Sequence, residues 1–181
     1  IGIINYGAGN IRSVYTSFVT CGKESFLIET AGDFKKADMV VLPGVGAFGD
    51  GMKMLSLKGM IGTLIEEVNK GKPFLGICLG LQMLFSYSEE GETEGLGIIK
   101  GKVERFKVTD TGLKVPHMGW SRVTLLDKNN PIFYNIGDSQ YFYFAHSFYV
   151  VPDEPSVIAG TTSYGVEFAS FVSKKNIVGV Q

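Results

Sequence analysis

The chain has 181 residues, of which 45% are hydrophobic and 19% are charged, and its formal net charge is −1. This composition fits one globular domain, and it excludes a disordered chain or a basic nucleic-acid surface. No apolar stretch reaches the roughly 20 residues that span a bilayer, IGIINYGAGN lacks the cationic head of a signal peptide, and two cysteines form no disulfide framework, so we expect a cytoplasmic protein.

The first predicted elements are a strand, a turn and a helix. Ile1–Tyr6 is short and apolar, as expected of a buried strand, and the turn GAGN follows it. Asn10 is a favourable N-cap for the next helix. Apolar residues recur at helical spacing from Ile11 to Val19 and predict a helix with one face on the core, which ends at Gly22.

More strands and helices are predicted in alternation after this helix. Ser25–Ile28 and Met39–Leu42 are apolar strands, and the loop PGVGAFGDG follows the second of them. Apolar residues at helical spacing over Ile61–Val68 predict a second amphipathic helix. Pro73–Ile77 is a further strand, and LGLQMLF after Cys78 is predicted as a buried helix.

After Glu94 the pattern changes to strands, and the turn KKN predicts a hairpin between the last two. These predicted strands are Ile98–Phe106, Arg122–Leu126, Gln140–Val151, Ser156–Thr162, Glu167–Val172 and Ile177–Gln181. The fold class is therefore α/β: a flavodoxin-like, mixed and mostly parallel central sheet with helices on both faces. The C-terminal half adds antiparallel strands, and residues 1–181 are predicted to form a single domain.

The strongest chemical signal is GICLG, in which Cys78 lies between a predicted strand and a predicted helix. This is the layout of a nucleophile elbow, whose tight turn needs small residues such as Gly76 and Gly80 on either side. The turn lifts the side chain to the carboxyl edge of the sheet, where ligands bind. A helix N-terminus there is expected to stabilise a thiolate. The alternative is a buried structural cysteine.

A second signal is PGVG, Pro43–Gly46, at the carboxyl end of another predicted strand. Glycines let a backbone turn its N–H groups toward a ligand without a side-chain clash. Acyl transfer needs such donors for the developing oxyanion, and the amide of Leu79 is the expected second donor. Taken alone, PGVG also fits an ordinary turn.

Other motifs are weaker. GAGN lacks the third glycine of a dinucleotide-binding loop, and no Cys/His/Asp cluster has the spacing of metal ligands. Cys21, beside a helix end, is predicted to be a small packed residue. Trp120 is equally consistent with an exposed aromatic patch for a partner and with a core position.

The sequence contains two histidines. His117, in PHMGW, is predicted to lie in a loop. His146, in the strand YFYFAHSFYV, shares a face with Phe142, Phe144 and Phe148 by alternation. A histidine on an aromatic face is more often structural than catalytic, so neither residue is predicted to be the base that a cysteine nucleophile requires.

Several motifs together resemble a known family. GICLGLQ, PGVGAFG, PHMGW and the terminal GVQ are similar, in this order, to motifs of the class I (triad-type) glutamine amidotransferases. NYGAGN, SYSEE and FYFAHSFYV resemble the glutaminase subunits of imidazole glycerol phosphate synthases in particular, and the likeness runs from end to end. The resemblance implies hydrolysis of L-glutamine to glutamate and ammonia without a cofactor. The ammonia passes to a (βα)₈-barrel cyclase in a heterodimer that serves histidine biosynthesis.

The resemblance also implies roles for individual residues. Cys78 attacks the side-chain amide and forms a glutamyl thioester, and the backbones of Val45 and Leu79 donate to the oxyanion. The implied glutamine-binding residues are Gly44, Gly46, Gln82, Glu90, His146, Ser147 and Phe148. The implied partner interface contains Asn10, His117, Met118, Gly119, Trp120 and Tyr143.

In the family, the triad histidine and glutamate lie in a segment like FHPE directly after GVQ. We therefore expect both residues just beyond Gln181, in a C-terminal tail. Ser121 stands where close relatives usually have asparagine, and Phe148 replaces a more usual tyrosine, which leaves fine specificity open.

Two other functions stay open on the sequence. One is a different intracellular cysteine hydrolase with the same elbow, and the other is a non-catalytic relative that docks on a barrel partner. The acceptor of the ammonia is also open, because related glutaminase subunits serve paralogous synthases.

Overall fold

A computed structural model of the chain describes residues 1–107, 112–126, 130–137 and 140–181. The α-helices of these residues are α1 Ile11–Thr20, α2 Phe48–Leu57, α3 Ile61–Asn69 and α4 Leu79–Gln82. The strands of these residues are β1 Gly2–Ile4, β2 Phe26–Ile28, β3 Val40–Gly44, β4 Phe74–Cys78, β5 Tyr87–Ser88, β6 Thr93–Glu94, β7 Gly101–Arg105, β8 His117–Leu125, β9 Tyr141–His146, β10 Phe148–Pro152, β11 Ile158–Tyr164, β12 Val166–Lys174 and β13 Ile177–Val180.

The centre of the molecule is a parallel sheet with the strand order β2–β1–β3–β4–β13. Its strands are rich in aliphatic residues, as expected of strands that are covered on both faces. Ile3, Val41 and Leu42 have no exposed surface. Gly44 pairs with Cys78 across the β3–β4 ladder, so the carboxyl ends of these two strands lie side by side.

The C-terminal half extends this sheet with antiparallel strands. β12 pairs with β13 and continues through β10 to β7, while β11 and β8 branch from β12 and β9 pairs with β8. Lys175, with a φ of 55°, lies in the turn between β12 and β13, so the hairpin predicted at KKN is confirmed. The predicted α/β class, with a parallel core and added antiparallel strands, is confirmed as well.

Helix α1 is less buried than the sequence predicted. Asn10 caps the helix as expected, since its side chain accepts a hydrogen bond of 3.3 Å from the Ser13 N–H. However, α1 has no buried residue, and Tyr15 and Val19 are 38% and 48% exposed. Ile11, Val14 and Phe18 of the predicted face are half-buried, so the face is only partly covered, because helical spacing determines which residues share a face but not what packs on it. Cys21, at the end of this helix, is exposed rather than packed.

Helices α2 and α4 also differ from the prediction. Helix α2 begins inside the segment predicted as a loop, where Gly49 and Gly51 lower the helical propensity. A Cβ on Gly51 would lie 2.9 Å from the sulfur of Met83, so the glycine allows close packing of α2 on the core. Helix α4 is a single turn of four residues, and the predicted longer helix over LGLQMLF is wrong.

Strand β8 begins at His117, so the prediction that this histidine lies in a loop is wrong. The predicted strand Gln140–Val151 divides at Ser147 into β9 and β10. The inner side of the antiparallel half holds a second core, which we call the aromatic cluster. Its buried members are Phe106, Val123, Phe133, Phe144, Ala159, Phe168 and Phe171.

Neither a membrane-spanning helix nor a metal-binding cluster is present among the described residues. No helix among them is both long and apolar enough to cross a membrane. No group of three or more His, Cys, Asp or Glu side chains among them is arranged to hold a metal ion.

Candidate active site

Cys78 lies in a strained turn between β4 and α4. Its φ of 53° and ψ of −112° are unfavourable for any residue with a side chain, a cost of the order of 1–3 kcal/mol. A Cβ on Gly76 would lie 2.8 Å from the Gly80 carbonyl oxygen, and a Cβ on Gly80 would overlap the Leu42 carbonyl oxygen. Both neighbours must therefore be glycine, which confirms the elbow geometry that the sequence predicted.

The PGVG segment runs past this elbow. A Cβ on Gly44 would lie 2.7 Å from the Leu79 Cβ, so glycine lets β3 approach the start of α4. Gly46 has a φ of 99°, a conformation that favours glycine. Val45 is 56% exposed, and it faces the same pocket as Cys78 and Leu79.

A pocket of about 290 Å³ opens above Cys78. The residues that line it are Val45, Gly46, Cys78, Leu79, Gln82, Glu90, Pro116, Met118, Ala145, His146, Ser147 and Phe148. It therefore brings together the predicted nucleophile, the predicted oxyanion segment and all the predicted glutamine-binding residues except Gly44. Gly44 is buried beneath the pocket, where it pairs with Cys78.

A chain of amides connects the pocket floor to the thiol. The Gln82 Nε2 donates to the Phe148 carbonyl oxygen at 3.2 Å and to the Gln181 Oε1 at 3.0 Å. The Gln181 Nε2 in turn lies 3.3 Å from the Cys78 Sγ. Gln181 thus holds the thiol and Gln82 at the same time, a contact that no local sequence pattern indicates.

Opposing effects act on the pKa of the Cys78 thiol. Burial raises the pKa of the thiol, while hydrogen bonds from the Leu79 N–H and from Gln181 lower it to a smaller extent. The sequence predicted a thiolate stabilised at a helix N-terminus. The Leu79 N–H at the start of α4 does favour the thiolate, but by less than burial disfavours it.

Glu90 lines the pocket and also caps a helix. Its Oε2 accepts a hydrogen bond of 2.8 Å from the Phe48 N–H, the first N–H of α2. Ala47, at the N-cap of this helix, provides no side-chain cap. The carboxylate thus satisfies an N–H that the local sequence leaves open.

Neither histidine of the sequence is bonded to Cys78. The His146 Nδ1 lies 2.8 Å from the Phe148 carbonyl oxygen, and its Nε2 lies 3.0 Å from the His117 Nδ1. The His117 Nε2 lies 2.8 Å from the Ser121 Oγ. Every ring nitrogen of the pair is therefore occupied by another group, in agreement with the prediction that neither histidine is the base.

Residues 3–181 match the family model of glutamine amidotransferase class-I. The chain belongs to the class I glutamine amidotransferases. It is 45% identical to imidazole glycerol phosphate synthase subunit HisH of Sulfurimonas denitrificans, over all of this chain and 88% of that protein. It is 46% identical to subunit HisH 1 of Methanococcus maripaludis, over all of this chain and 89% of that protein.

Two solved structures share the fold of this amidotransferase. One is a glutamine amidotransferase, with a TM-score of 0.77 and 15% identity over 99% of this chain and 88% of that one. The other is PurLQS from Thermotoga maritima, with a TM-score of 0.77 and 16% identity over 99% of this chain and 84% of that one. At this identity the likeness concerns the fold alone.

The predicted interface residues of the amidotransferase divide into exposed and buried ones. Met118, Trp120 and Tyr143 are 63%, 70% and 55% exposed on the outer face of β8 and β9. Asn10 is exposed and Gly119 partly so. His117 is only 1% exposed, so its side chain points into the aromatic cluster, away from any partner on that face.

Besides Gln181, the amidotransferase site contains residues that sequence patterns did not indicate. The Tyr6 hydroxyl, fully buried, donates to the Pro43 carbonyl oxygen at 3.0 Å and so anchors the PGVG segment. Burial, with a smaller contribution from the nearby Cys78, raises the pKa of Tyr6 to about 12. Pro116 and Ala145 also line the pocket. The Tyr6 hydrogen bond and the placement of Pro116 and Ala145 depend on contacts between distant parts of the chain.

Proposed function

We propose that this amidotransferase is the glutaminase subunit of an imidazole glycerol phosphate synthase and serves histidine biosynthesis. The observation that carries the proposal is the position of Cys78, which the elbow presents in a pocket that it shares with Val45 and Gly46. The identities of 45% and 46% to subunits HisH support this particular synthase.

The proposed reaction begins with L-glutamine in the pocket and its side-chain amide at Cys78. The thiolate adds to the amide carbon, and the resulting oxyanion accepts hydrogen bonds from the N–H groups of Val45 and Leu79. Each such donor contributes about 100-fold or more to the rate. The carbon–nitrogen bond then breaks, ammonia leaves with a proton, and a glutamyl thioester stays on the sulfur. Water hydrolyses the thioester to glutamate and regenerates Cys78.

The pocket offers groups that suit the amino-acid end of glutamine. The carboxylate of Glu90 matches the α-ammonium group, and the hydroxyl and backbone N–H of Ser147 match the α-carboxylate. Gln82 and Phe148 complete the wall beside the reacting amide. Gly44 supports the site from below by admitting Leu79.

We infer that the base of the proposed reaction is neither of the two histidines of residues 1–181. Both histidines of residues 1–181 use their ring nitrogens in contacts with one another, with Ser121 and with Phe148. The raised pKa of Cys78 in these residues also calls for a further group that removes the proton.

The proposed partner is a (βα)₈-barrel cyclase that receives the ammonia. The outer face of β8 and β9 exposes Met118, Trp120 and Tyr143, with the Trp120 and Tyr143 rings 5.7 Å apart in an edge-to-face contact. Exposed aromatic residues of this kind are enriched in protein–protein interfaces. Met118 also lines the glutamine pocket, so a partner seated on this face lies next to the ammonia source.

The decisive test is Cys78→Ala in the full-length protein with its barrel subunit bound. We expect glutamine hydrolysis to fall by at least about 1,000-fold, because the nucleophile is lost. Cys21→Ala is the matched control, since Cys21 is exposed and is predicted to leave the rate unchanged.

Other outcomes of this assay separate the alternatives. A Cys78→Ala protein that keeps its rate would refute the mechanism. A parent protein that binds the barrel but never hydrolyses glutamine would indicate a non-catalytic docking relative. Hydrolysis of peptides without any response to glutamine would indicate a different cysteine hydrolase. Assays with other ammonia acceptors would identify a paralogous synthase.

A further inference from the structure

A line of hydrogen bonds crosses the aromatic cluster beneath β8 and β9. The Ser121 Oγ lies 2.8 Å from the His117 Nε2, and the His117 Nδ1 lies 3.0 Å from the His146 Nε2. The His146 Nδ1 lies 2.8 Å from the Phe148 carbonyl oxygen. The line begins on β8 and ends at a residue that lines the glutamine pocket.

The direction of this line follows from its last member. A backbone carbonyl only accepts hydrogen bonds, so the His146 Nδ1 carries the proton. In a neutral ring the Nε2 of His146 is then an acceptor, and the His117 Nδ1 must donate to it. By the same step the His117 Nε2 accepts, and the Ser121 hydroxyl donates to it. Both histidines are thus neutral Nδ1–H tautomers.

The surroundings of the two rings favour the neutral form. His117 and His146 are 1% and 6% exposed. The rings packed against them are those of Phe106, Phe144, Tyr164 and Phe168.

The tyrosine hydroxyls near the two histidines form hydrogen bonds with other residues. The hydroxyl of Tyr164 donates to the Lys114 carbonyl oxygen. The hydroxyl of Tyr149, whose ring contacts Phe106 in a tilted arrangement, donates to Glu104. Burial lowers the pKa of His117, and it lowers that of His146 to about 4.

The line continues beyond Phe148 to the nucleophile. The Phe148 carbonyl oxygen also accepts from the Gln82 Nε2, and Gln82 donates to Gln181. Gln181 then donates to the Cys78 Sγ. The orientation of the Phe148 carbonyl group therefore influences the orientation of the Gln82 side-chain amide, which lies in the pocket wall.

We propose that Ser121 and His117 are positioning residues of the glutamine pocket, which act through His146 by fixing the Phe148 carbonyl group and with it the amide of Gln82. Neither touches the reacting atoms. This role rests on the proposed glutaminase function. It requires a hydrogen-bond donor at position 121, which the serine hydroxyl supplies.

The first test reads the tautomers without reference to activity. Long-range ¹H–¹⁵N spectra of the ¹⁵N-histidine-labelled protein, assigned with His117→Gln and His146→Gln, are recorded at pH 7. We expect the Nδ1–H tautomer at both residues, although Nε2–H is preferred by histidine free in water. An Nε2–H tautomer or an imidazolium ion at either residue would overturn the proposal.

The second test measures glutamine hydrolysis by the full-length protein with its barrel subunit. Loss of the donor in Ser121→Ala leaves the buried His117 Nε2 without a partner, and we expect the KM for glutamine to rise about fivefold with kcat nearly unchanged. Ser121→Thr should restore the parental KM. Thr124→Ala, on the outer face of the same strand, is the matched control.

These outcomes separate the two proposals. A variant that is merely less stable loses kcat with the folded fraction and keeps its KM, so that result, or an unchanged KM in Ser121→Ala, would overturn the positioning role. Retention of glutaminase activity by Cys78→Ala would instead overturn the proposed function, and the tautomer spectra would still decide the hydrogen-bonded line.

Discussion

At the scale of single residues, two opposing effects act on the pKa of the Cys78 thiol. Desolvation raises its pKa, and the Leu79 N–H and Gln181 side-chain amide lower it because both donate to the sulfur. Hydrogen bonds to a charged form favour that form. The reactivity of this sulfur therefore depends on a residue that is 103 positions away in the sequence.

This balance predicts how Cys78 reacts with iodoacetamide as the pH changes. In Gln181→Leu a hydrogen-bond donor to the thiolate is lost. The pH at which Cys78 is alkylated at half its maximal rate should therefore rise. The measurement is mass spectrometry of the Cys78 peptide after timed labelling, which separates it from exposed Cys21. Gln140→Leu is the control because Gln140 is exposed. A midpoint that stays in place or moves down would contradict the prediction.

At the scale of secondary structure, helix α2 depends on a carboxylate from another element. Glu90 lies in the 3-10 turn after β5, and its Oε2 accepts from the Phe48 N–H. A negative charge at a helix N-terminus also interacts favourably with the helix dipole. The same carboxylate lines the pocket, so the pocket wall and the start of α2 share one side chain.

Replacement of this carboxylate should therefore cost stability as well as substrate affinity. We expect Glu90→Gln to lower the free energy of unfolding by about 0.5 kcal/mol, because the amide oxygen still accepts from the Phe48 N–H but the negative charge at the helix N-terminus is lost. Urea denaturation of the protein without substrate measures this change. Glu94→Gln, an exposed carboxylate on β6, should leave stability unaltered. Equal stabilities of both variants would show that Glu90 does not hold the helix.

The elements differ in how far the sequence could predict them. The parallel strands were predicted to within a few residues because they are short apolar segments between turn signals. Helix α2 was missed because glycines 49 and 51 weaken its pattern, although the fold requires at least the second of them for packing on Met83. The burial of α1 was mispredicted because an apolar face does not reveal whether another element covers it.

At the scale of the whole molecule, the outer face of β8 and β9 carries the proposed contact with the barrel subunit. We expect Trp120→Ala to weaken that complex by about 2 kcal/mol, the size of effect seen for buried aromatic anchors at interfaces. Isothermal titration calorimetry with the barrel subunit measures it. Leu57→Ala is the control, because Leu57 is 72% exposed at the end of α2. Unchanged affinity in Trp120→Ala would remove this face from the interface.

The site as a whole was only partly predictable. Cys78, its flanking glycines and PGVG carry local signals, because a strained turn and a donor-rich loop both require particular residue types. No local sequence signal indicates the hydrogen bonds of Tyr6, of Gln181 and of the histidine pair. They join residues 37, 103 and 29 positions apart, and a single sequence does not state which distant side chains meet.

The place of β13 in the sheet has a consequence for how the protein matures. This strand, last among those described, lies between β4 and β12, so it joins the nucleophile's strand to the antiparallel half. While the ribosome is still adding residues before Ile177, β4 keeps one edge unpaired, and unpaired edges invite association with other chains. The sheet around the reactive turn is therefore complete only after translation has passed this point, and until then the free edge of β4 is a place where two unfinished chains can pair.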